Sequence, residues 1–286
     1  MTGLVIGRNG QVAVALRRIA PELTYLDRAA ADLSDPTACA QAIKNLAPDF
    51  VINAAAYTGV DQAEADREVA LEINANAPGA MARAASVLGI PFVHISSDYV
   101  FDGSGDKPWR EDDATDPVNF YGASKREGEI QIAAVGGAFG ILRTSWVFSE
   151  MGANFVKTML RLGQSRDELR VVNDQIGGPT PAAGIAEACL KMVHGLLADS
   201  KRAGIYHYSG APDVTWAEFA REIFAKSGMN VDVQPISSAE FPTAAARPKN
   251  SRLDCQRIHE VFGISRPDWR DALDEIISEL GRDDAA

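Results

Sequence analysis

Short apolar segments alternate with helical segments through the first half of the chain, and this alternation limits the fold more than any other feature. The strand candidates are 4–6, 24–26, 50–53, 92–96 and a fifth that begins at 140–143. The helical segments are 10–19, 35–46, 61–88, with Pro78 as a candidate break, and one around 121–125. Strands joined by helices of this length form right-handed βαβ units. We therefore expect an α/β fold with a Rossmann-type, doubly wound parallel sheet.

The second half is less regular, and its pattern predicts a smaller lobe. The helix candidates are 154–162, 182–197, 215–227, 254–262 and 271–280, and the strand candidates are 169–172 and 205–208. We expect a dinucleotide-binding domain at 1–147, to which later segments at roughly 170–200 and 240–255 return. Residues 148–286 are then mainly a mixed α/β substrate-binding lobe, and we expect 282–286 to be frayed.

The chain is acidic, with a formal net charge of −11 over 286 residues. A nucleic-acid partner needs a basic surface that neutralises phosphates, so the charge argues against one, and it also argues against an anionic membrane surface. No apolar run approaches membrane-spanning length, and the first residues lack the pattern of a secretory leader. The cysteines Cys39, Cys189 and Cys255 lie far apart, which favours buried free thiols. Together these features predict a cytoplasmic protein.

A glycine-rich stretch follows the first strand candidate and begins the first helix. Residues 7–13 space two glycines and an alanine as Gly-x-x-Gly-x-x-Ala. Glycine permits a sharp turn and lets a pyrophosphate approach the helix N-terminus, where free N–H groups and the dipole favour anions. A glycine pair alone is weak and a plain turn is the alternative, but its position after a strand favours dinucleotide binding. The expected cofactor contacts are Gly7, Arg8, Asn9, Gly10, Gln11 and Val12.

Two further stretches are expected to contact the cofactor. Asp32 and Leu33 suit the adenine, although Asp32 also suits a solvated turn. The small residues Ala54, Ala55 and Ala56 follow the third strand candidate, where they would let a cofactor lie across the strand ends; close packing is the alternative.

The signals for NAD against NADP conflict. Asp27 lies near the end of the second strand candidate, where an acid binds ribose hydroxyls and favours NAD. Arg28 and Arg8 are of the residue type that accommodates the 2′-phosphate of NADP. At this point the choice stays open.

A hydroxyl, a tyrosine and a lysine are spaced as a carbonyl reductase needs them. Ser97 follows the fourth strand candidate, and Tyr121 and Lys125 fall on one face of a helix. An ammonium stabilises a phenolate and lowers its pKa, which is near 10 in a free phenol, toward the working range. Tyr121 would donate a proton to a carbonyl oxygen, Ser97 would hydrogen-bond that oxygen, and Lys125 could also hold the nicotinamide ribose.

Two alternatives remain within this segment. A tyrosine and a lysine at this spacing are not specific by themselves. The alternative to catalysis is that both side chains are solvent-exposed on the helix surface. Asp98, next to Ser97, would bind a substrate hydroxyl or cap the following loop.

Longer motifs run nearly end to end through the chain. They are at 7–11, 53–58, 60–61, 96–103, 121–125, 143–147, 154–155, 174–180 and 247–253. With these residues the chain resembles the extended short-chain dehydrogenase/reductase superfamily and, within it, the dTDP-4-dehydrorhamnose reductase family. The later motifs are the more specific ones, because generic reductases of the superfamily lack them.

The resemblance implies reduction of the 4-keto group of dTDP-4-dehydro-L-rhamnose to dTDP-L-rhamnose, with NADPH as the expected cofactor and NADH as the alternative. It implies that Ser97, Tyr121 and Lys125 are the catalytic residues. It also implies that the dTDP-sugar substrate is bound by Val60, Ser97, Asp98, Tyr99, Trp146 and Arg247. Trp146 would offer a flat apolar face, with a core tryptophan as the alternative. Arg247 would suit the diphosphate, with a surface charge as the alternative.

The chain departs from this family at two positions. Ser97 stands where many members have Thr, which preserves the hydroxyl. Some members carry a first-helix Glu in a magnesium site at a dimer interface, and the corresponding residue here is Ala15. We therefore predict no metal site and expect a monomer or a weak homodimer.

Two other functions fit the same pattern. One is a nucleotide-sugar epimerase or dehydratase of the superfamily, which retains NAD and returns the hydride. The other is a non-catalytic regulatory subunit of this fold, against which the intact set of Ser97, Tyr121 and Lys125 argues.

Overall fold

The alternating apolar segments form parallel strands in the computed structural model, which describes residues 1–283. The strands are β1 (Gly3–Ile6), β2 (Thr24–Leu26), β3 (Phe50–Asn53), β4 (Phe92–Ser97), β5 (Phe139–Thr144), β6 (Val147–Phe148), β7 (Glu168–Val172), β8 (Ile176–Gly177), β9 (Thr180–Pro181), β10 (Gly204–His207), β11 (Val214–Thr215), β12 (Asp232–Ile236) and β13 (Asn250–Ser251). The α-helices are α1 (Gln11–Ile19), α2 (Pro36–Leu46), α3 (Arg67–Leu71), α4 (Ala77–Leu88), α5 (Phe120–Val135), α6 (Phe155–Gly163), α7 (Ala182–Ala198), α8 (Trp216–Ser227), α9 (Gln256–Phe262) and α10 (Trp269–Asp283).

The central sheet has six strands in the order β10–β5–β4–β3–β1–β2, and every neighbouring pair is parallel. This confirms the predicted Rossmann-type, doubly wound sheet. The winding reverses at β1, which has β2 on one side and β3 on the other. Ligands of such sheets bind outside the carboxyl ends of the strands at this switch point. The glycine-rich stretch, Ala54 and Ser97 all lie at that edge.

Both faces of the sheet are covered by helices. Val5 of β1 packs in the apolar cluster on the α1 and α7 side, whereas Leu4 and Ile6 pack in the cluster on the α2 and α4 side. Successive strand residues point to opposite faces, so a sheet buried on both sides needs continuous apolar strands. This is why the strand candidates read as unbroken apolar runs.

A smaller mixed lobe carries a third apolar cluster, which includes Phe148, Phe219 and Trp269. Its β-structure includes the parallel pairs β7–β12 and β6–β9 and the three-stranded sheet β11–β8–β13. The chain crosses between the two parts, because β10 returns to the central sheet and α7 packs on α1. The predicted division at 147/148 stays a prediction.

Local capping signals place several helix ends as expected. Asp35 caps α2, where its carboxylate accepts the Ala38 N–H, and Thr215 and Glu218 form the capping box of α8. The helical region predicted over 61–88 is a short 3-10 turn at Gln62–Glu64 followed by α3, a π-helical turn at Glu72–Asn76 and α4. Pro78 is not the break, since it lies in the first turn of α4. Fraying is expected for 282–286; α10 continues to Asp283, and 284–286 lie outside the described residues.

The π-helical turn has a packing partner. The side chain of Asn74 accepts the Tyr57 N–H at 2.9 Å and donates to the Ser124 hydroxyl of α5 at 2.9 Å. A Cβ on Gly128 of α5 would lie 2.1 Å from the Asn74 carbonyl oxygen. The turn therefore seats α5 against the strand ends, as π-bulges commonly do beside functional sites. None of the helices within 1–283 is both long and apolar enough to cross a membrane.

Candidate active site

A cleft of about 800 Å³ lies across the carboxyl ends of the central strands. It brings together every predicted site residue except Arg247. These residues are Gly7, Arg8, Asn9, Gly10, Gln11, Val12, Asp32, Leu33, Ala54, Ala55, Ala56, Val60, Ser97, Asp98, Tyr99, Tyr121, Lys125 and Trp146. The cleft also includes residues that sequence reasoning did not select, among them Thr144, Gly152, Ala153 and Trp216.

The glycine end of the cleft fits a dinucleotide pyrophosphate. Gly7 has φ +107°, and a Cβ there would lie 3.3 Å from atoms of Ala54 and Ala55. Helix α1 begins after Gly10 without a side-chain cap, so its first N–H groups are available to an anion. The open helix N-terminus and the small residues opposite it form the cradle that the sequence pattern predicted.

The acidic residues near the ribose end also build turns. Asp27 accepts the N–H groups of Ala29 and Ala30 through one carboxylate oxygen. Asp32 accepts the Ser34 N–H at 2.9 Å, and this bond lowers the pKa of its carboxyl. Asp32 therefore lies in the cleft and stabilises a turn at the same time.

A loop from the second half of the chain covers the glycine end. The Gln11 side-chain oxygen accepts the Ser149 hydroxyl at 2.9 Å and the Asn154 amide at 3.0 Å. Glu150 pairs with Arg18 of α1 at 2.6 Å. These partners are more than a hundred residues from Gln11, so local sequence patterns carried no signal for them.

The reacting end of the cleft is formed where α5 meets the turn after β4. The Ser97 hydroxyl accepts the Tyr99 N–H at 3.1 Å, and Asn119 caps α5 by accepting the Gly122 N–H at 2.8 Å. A Cβ on Gly122 would lie 2.0 Å from the Tyr99 carbonyl oxygen. The absence of a side chain at Gly122 thus lets α5 bring Tyr121 next to Ser97.

Burial dominates the protonation of the tyrosine and the lysine. It raises the pKa of Tyr121 to about 12, although the Ser97 hydroxyl lowers that pKa. It lowers the pKa of Lys125 to about 8. The Lys125 Nζ donates to the Ile95 carbonyl at 2.7 Å rather than to the phenol. The predicted lowering of the Tyr121 pKa by Lys125 is therefore wrong for this arrangement of side chains, and Tyr121 is held in its proton-bearing form.

Asp98 is buried beside these groups. One carboxylate oxygen accepts the Ser97 hydroxyl at 3.0 Å. Among the described residues, its Oδ2 and the Oγ1 of Thr144 are buried without a hydrogen-bond partner, and both residues line the cleft. Burial raises the pKa of Asp98 to about 6, against the lowering effect of the nearby Ser251 and Ser97 hydroxyls. Unpartnered buried polar atoms facing a cleft suit a polar ligand.

An aromatic pair lies at the same end of the cleft. Trp146 has a positive φ of 48°, and its ring stacks on Trp216 with 3.5 Å between centroids and 9° between planes. The Trp216 indole N–H donates to the Gln175 side chain at 3.2 Å. Trp216 therefore supports one face of Trp146. Its role arises from stacking, which no spacing in the sequence indicates.

Arg247 lies outside the cleft. Its guanidinium donates to both carboxylate oxygens of Asp61, at 3.0 and 2.7 Å. Asp61 adjoins Val60, which lines the cleft. The predicted role of Arg247 in substrate binding stays a prediction. Within residues 1–281, whose side chains the structure describes, no group of acidic, histidine or cysteine side chains is arranged to hold a metal ion.

The doubly wound sheet, the glycine cradle at its switch point and the serine, tyrosine and lysine in the same cleft define a dinucleotide-dependent oxidoreductase of the short-chain dehydrogenase/reductase class. The chain belongs to the family described as the RmlD substrate binding domain, whose sequence model matches residues 1–282. This confirms the resemblance seen in the motifs.

Similar proteins and solved structures agree with this assignment. The dTDP-4-dehydrorhamnose reductase of Sinorhizobium fredii is 43% identical over 285 residues, which is 96% of each chain. The crystal structure of a dTDP-4-dehydrorhamnose reductase from Clostridium acetobutylicum superposes with a TM-score of 0.92 at 36% identity, over 98% of this chain and 100% of that one. The Bacillus anthracis reductase, solved in complex with NADP, gives 0.89 at 37% identity, over 97% and 99%.

Proposed function

We propose that this protein uses NADPH to reduce the 4-keto group of dTDP-4-dehydro-L-rhamnose to dTDP-L-rhamnose. The observation that carries the proposal is a single cleft that runs from the glycine cradle to Ser97, Tyr121 and Lys125. A hydride donor held along the glycine and alanine residues thus reaches the groups that handle the carbonyl oxygen. The identity of the sugar is inferred from the family and from its reductase members.

Each residue at the reacting end has a separate task. Bound NADPH supplies the hydride for the carbonyl carbon. Tyr121 donates its phenolic proton to the carbonyl oxygen, and its raised pKa keeps that proton in place until the oxygen becomes basic. Ser97 turns its hydroxyl from Asp98 to the same oxygen and stabilises the developing charge. Lys125 contributes positive charge and a hydrogen bond to the nicotinamide ribose.

The sugar occupies the space between the aromatic pair and the turn after β4. Trp146 offers its free face to the deoxysugar, while Trp216 supports the other face. The unpartnered oxygen of Asp98 accepts a sugar hydroxyl. Tyr99 and Val60 complete this wall, and Arg247 binds the diphosphate once it leaves Asp61.

We further infer a cytoplasmic enzyme, a monomer or a weak homodimer, without nucleic-acid or membrane partners. The buried free thiols Cys39, Cys189 and Cys255 suit a reducing compartment. The net charge of −11 disfavours anionic surfaces. We place the dinucleotide-binding domain mainly in 1–147 and the substrate-binding lobe mainly in 148–286.

The test follows NADPH oxidation with the 4-keto sugar and identifies the product by NMR. We expect Tyr121→Phe to lower kcat by ~10²–10⁴-fold because the proton donor is lost. The matched control is Tyr25→Phe, whose hydroxyl bonds the Ala20 carbonyl and whose side chain is not part of the cleft. This control should keep the wild-type kcat.

Two results would contradict the proposal. In the first, NADPH is not oxidised with this sugar and Tyr121→Phe behaves as wild type. In the second, the purified protein carries stoichiometric NAD and turns over without added reductant, which would instead indicate an epimerase or dehydratase.

A further inference from the structure

Three buried polar side chains form a line from the cofactor cradle to the catalytic lysine. The Asn53 amide nitrogen lies 3.0 Å from Nδ1 of His94, and Nε2 of His94 lies 3.2 Å from Nζ of Lys125. All three residues are at most 1% exposed. Asn53 and His94 are paired across β3 and β4, so the sheet register fixes the first contact.

The bonds in this line cannot all be made when Lys125 carries its charge. Asn53 accepts the Ala55 N–H at 3.2 Å, which turns its NH₂ group toward Nδ1 of the imidazole. Burial lowers the pKa of His94 well below its ordinary value, so the ring is neutral with one proton. With Nδ1 accepting from Asn53, that proton is on Nε2 and points at Nζ. Only an uncharged amine can accept it.

A charged Lys125 requires the opposite arrangement. An ammonium has donors only, so Nε2 must accept and the imidazole proton moves to Nδ1. The Asn53 amide then has to present its oxygen to Nδ1, and it gives up the Ala55 N–H. The Ala55 N–H is then left without its Asn53 partner, so the two arrangements differ at the backbone that lines the cleft.

We propose that His94 is a positioning residue that couples the proton on Lys125 to the Asn53 amide and thereby to the backbone turn at Ala54–Ala56. When Lys125 gains a proton from solvent, the His94 proton moves from Nε2 to Nδ1 and the Asn53 amide reverses. The line as a whole gains one proton. By linkage, a cofactor that binds the Ala55 turn differently in the two states shifts the Lys125 equilibrium, and the reverse also holds.

Other charged groups near Lys125 do not replace this coupling. Glu129, one turn along α5, favours the ammonium, but its carboxylate is held by Arg143 of β5 at 2.7 Å and by the Ser96 hydroxyl. Tyr121 and Asp98 face the same end of the cleft from α5 and from the turn after β4. The β3 neighbour, Asn53, is uncharged. Among the residues that the structure describes, His94 is the one that contacts Nζ with a group able either to donate or to accept.

The catalytic relevance of this coupling rests on the proposed reductase function, in which Lys125 acts at the reacting end of the cleft. The coupling itself is measured without turnover, by NMR on the full-length protein. In protein labelled with ¹³Cε-lysine, the Lys125 resonance is identified by its loss in Lys125→Met. It should titrate near pH 8, the value that burial gives the Lys125 pKa. In protein labelled with ¹⁵N-histidine, His94 should be protonated on Nε2 above that titration and on Nδ1 below it.

Two variants separate the coupling from a role in packing. His94→Gln presents an oxygen that accepts from the ammonium, so the Lys125 titration should move upward by about one pH unit. His94→Phe keeps a ring against Phe92, with which His94 stacks, but offers no acceptor. Its titration should fall at or below that of wild type.

The wild-type protein by itself can overturn the proposal. It does so if His94 has the same tautomer above and below the Lys125 titration. An unmoved titration in folded His94→Gln, or an equal upward shift in both variants, also overturns it. If the protein reduces the dTDP sugar, the alkaline limb of kcat/KM should follow the same shifts. Failure of turnover with a tautomer change intact would count against the proposed function and not against this coupling.

Discussion

Asp98 shows how burial sets chemistry at the scale of one residue. The sequence left two roles open for it, because a carboxyl after a strand binds ligands or caps turns equally well. In the structure Ser97, not Asp98, caps the turn by accepting the Tyr99 N–H. Asp98 is 2% exposed and keeps one oxygen unpartnered among the described residues. Burial depends on tertiary packing, which a local pattern does not contain.

The raised pKa of Asp98 predicts a particular pH dependence of stability. The pKa rises from 3.8 in the unfolded chain to about 6 in the fold, so the folded state binds the proton more tightly. The resulting stabilisation is complete below pH ~4 and is lost as the pH rises through ~6, by about 2–3 kcal/mol in total. Asp98→Asn cannot titrate. Its free energy of unfolding relative to wild type should therefore increase by about that amount between pH 4 and pH 7.5.

Urea denaturation at several pH values measures this difference. The comparison removes the contribution of every other titrating group, since both proteins share them. Parallel stability curves for the two proteins would mean that folding does not raise the pKa of Asp98.

At the scale of elements, prediction succeeded where the determinants are local. The strands β1 to β5 and the ends of α2 and α8 follow from apolar runs and caps such as Asp35 and Thr215. The π-helical turn at Glu72–Asn76 did not follow, because the contacts of Asn74 with Tyr57 and Ser124 reach across the fold. The seat of α5 on the Tyr99 turn is equally non-local.

The close contact between Gly122 of α5 and the Tyr99 carbonyl gives a prediction for this helix. Gly122→Ala places a Cβ 2.0 Å from the Tyr99 carbonyl oxygen, so the helix must move away. Tyr121 and Lys125 move with it. We expect stability to fall by about 1–3 kcal/mol. Because catalytic geometry tolerates little displacement, kcat should fall by at least ~10-fold.

Chemical denaturation measures the expected loss of stability in Gly122→Ala, and steady-state kinetics measures the expected loss of kcat. Gly281→Ala in α10 is the matched control, because a Cβ there meets nothing within 4 Å. It should keep kcat and gain up to about 1 kcal/mol, as expected for alanine in a helix. Wild-type kcat in Gly122→Ala would show that the contact with Tyr99 does not position the catalytic side chains.

At the scale of the whole molecule, the cleft is assembled by both halves of the chain. The sequence indicated the residues supplied by the strand ends of the central sheet. It did not indicate Trp216, or the loop with Ser149 and Asn154 that closes over Gln11. These contacts join segments far apart in sequence and are fixed by side-chain packing, which neither hydrophobic period nor motif spacing encodes.

Arg247 joins the two halves of the chain through Asp61 and is also predicted to bind the substrate diphosphate. The two roles predict different results. If Arg247 binds the diphosphate, Arg247→Ala should raise KM for the dTDP sugar by ~10-fold or more, because a charge-assisted bond is lost. Asp61→Ala removes the same ion pair but keeps the guanidinium, which then has only the Ala245 carbonyl as its partner among the described residues, so KM should stay level or fall.

Both variants should lose similar stability, because each breaks the ion pair and one bond to the Ala245 backbone. Steady-state kinetics over sugar concentration, with unfolding measured alongside, therefore separates binding from structure. A joint rise of KM in both variants would make Arg247 a link between the halves and remove it from the substrate site. A rise of KM confined to Arg247→Ala would mean that Asp61 binds the guanidinium in the free protein. Substrate binding would then exchange the Asp61 carboxylate for the diphosphate as the partner of Arg247.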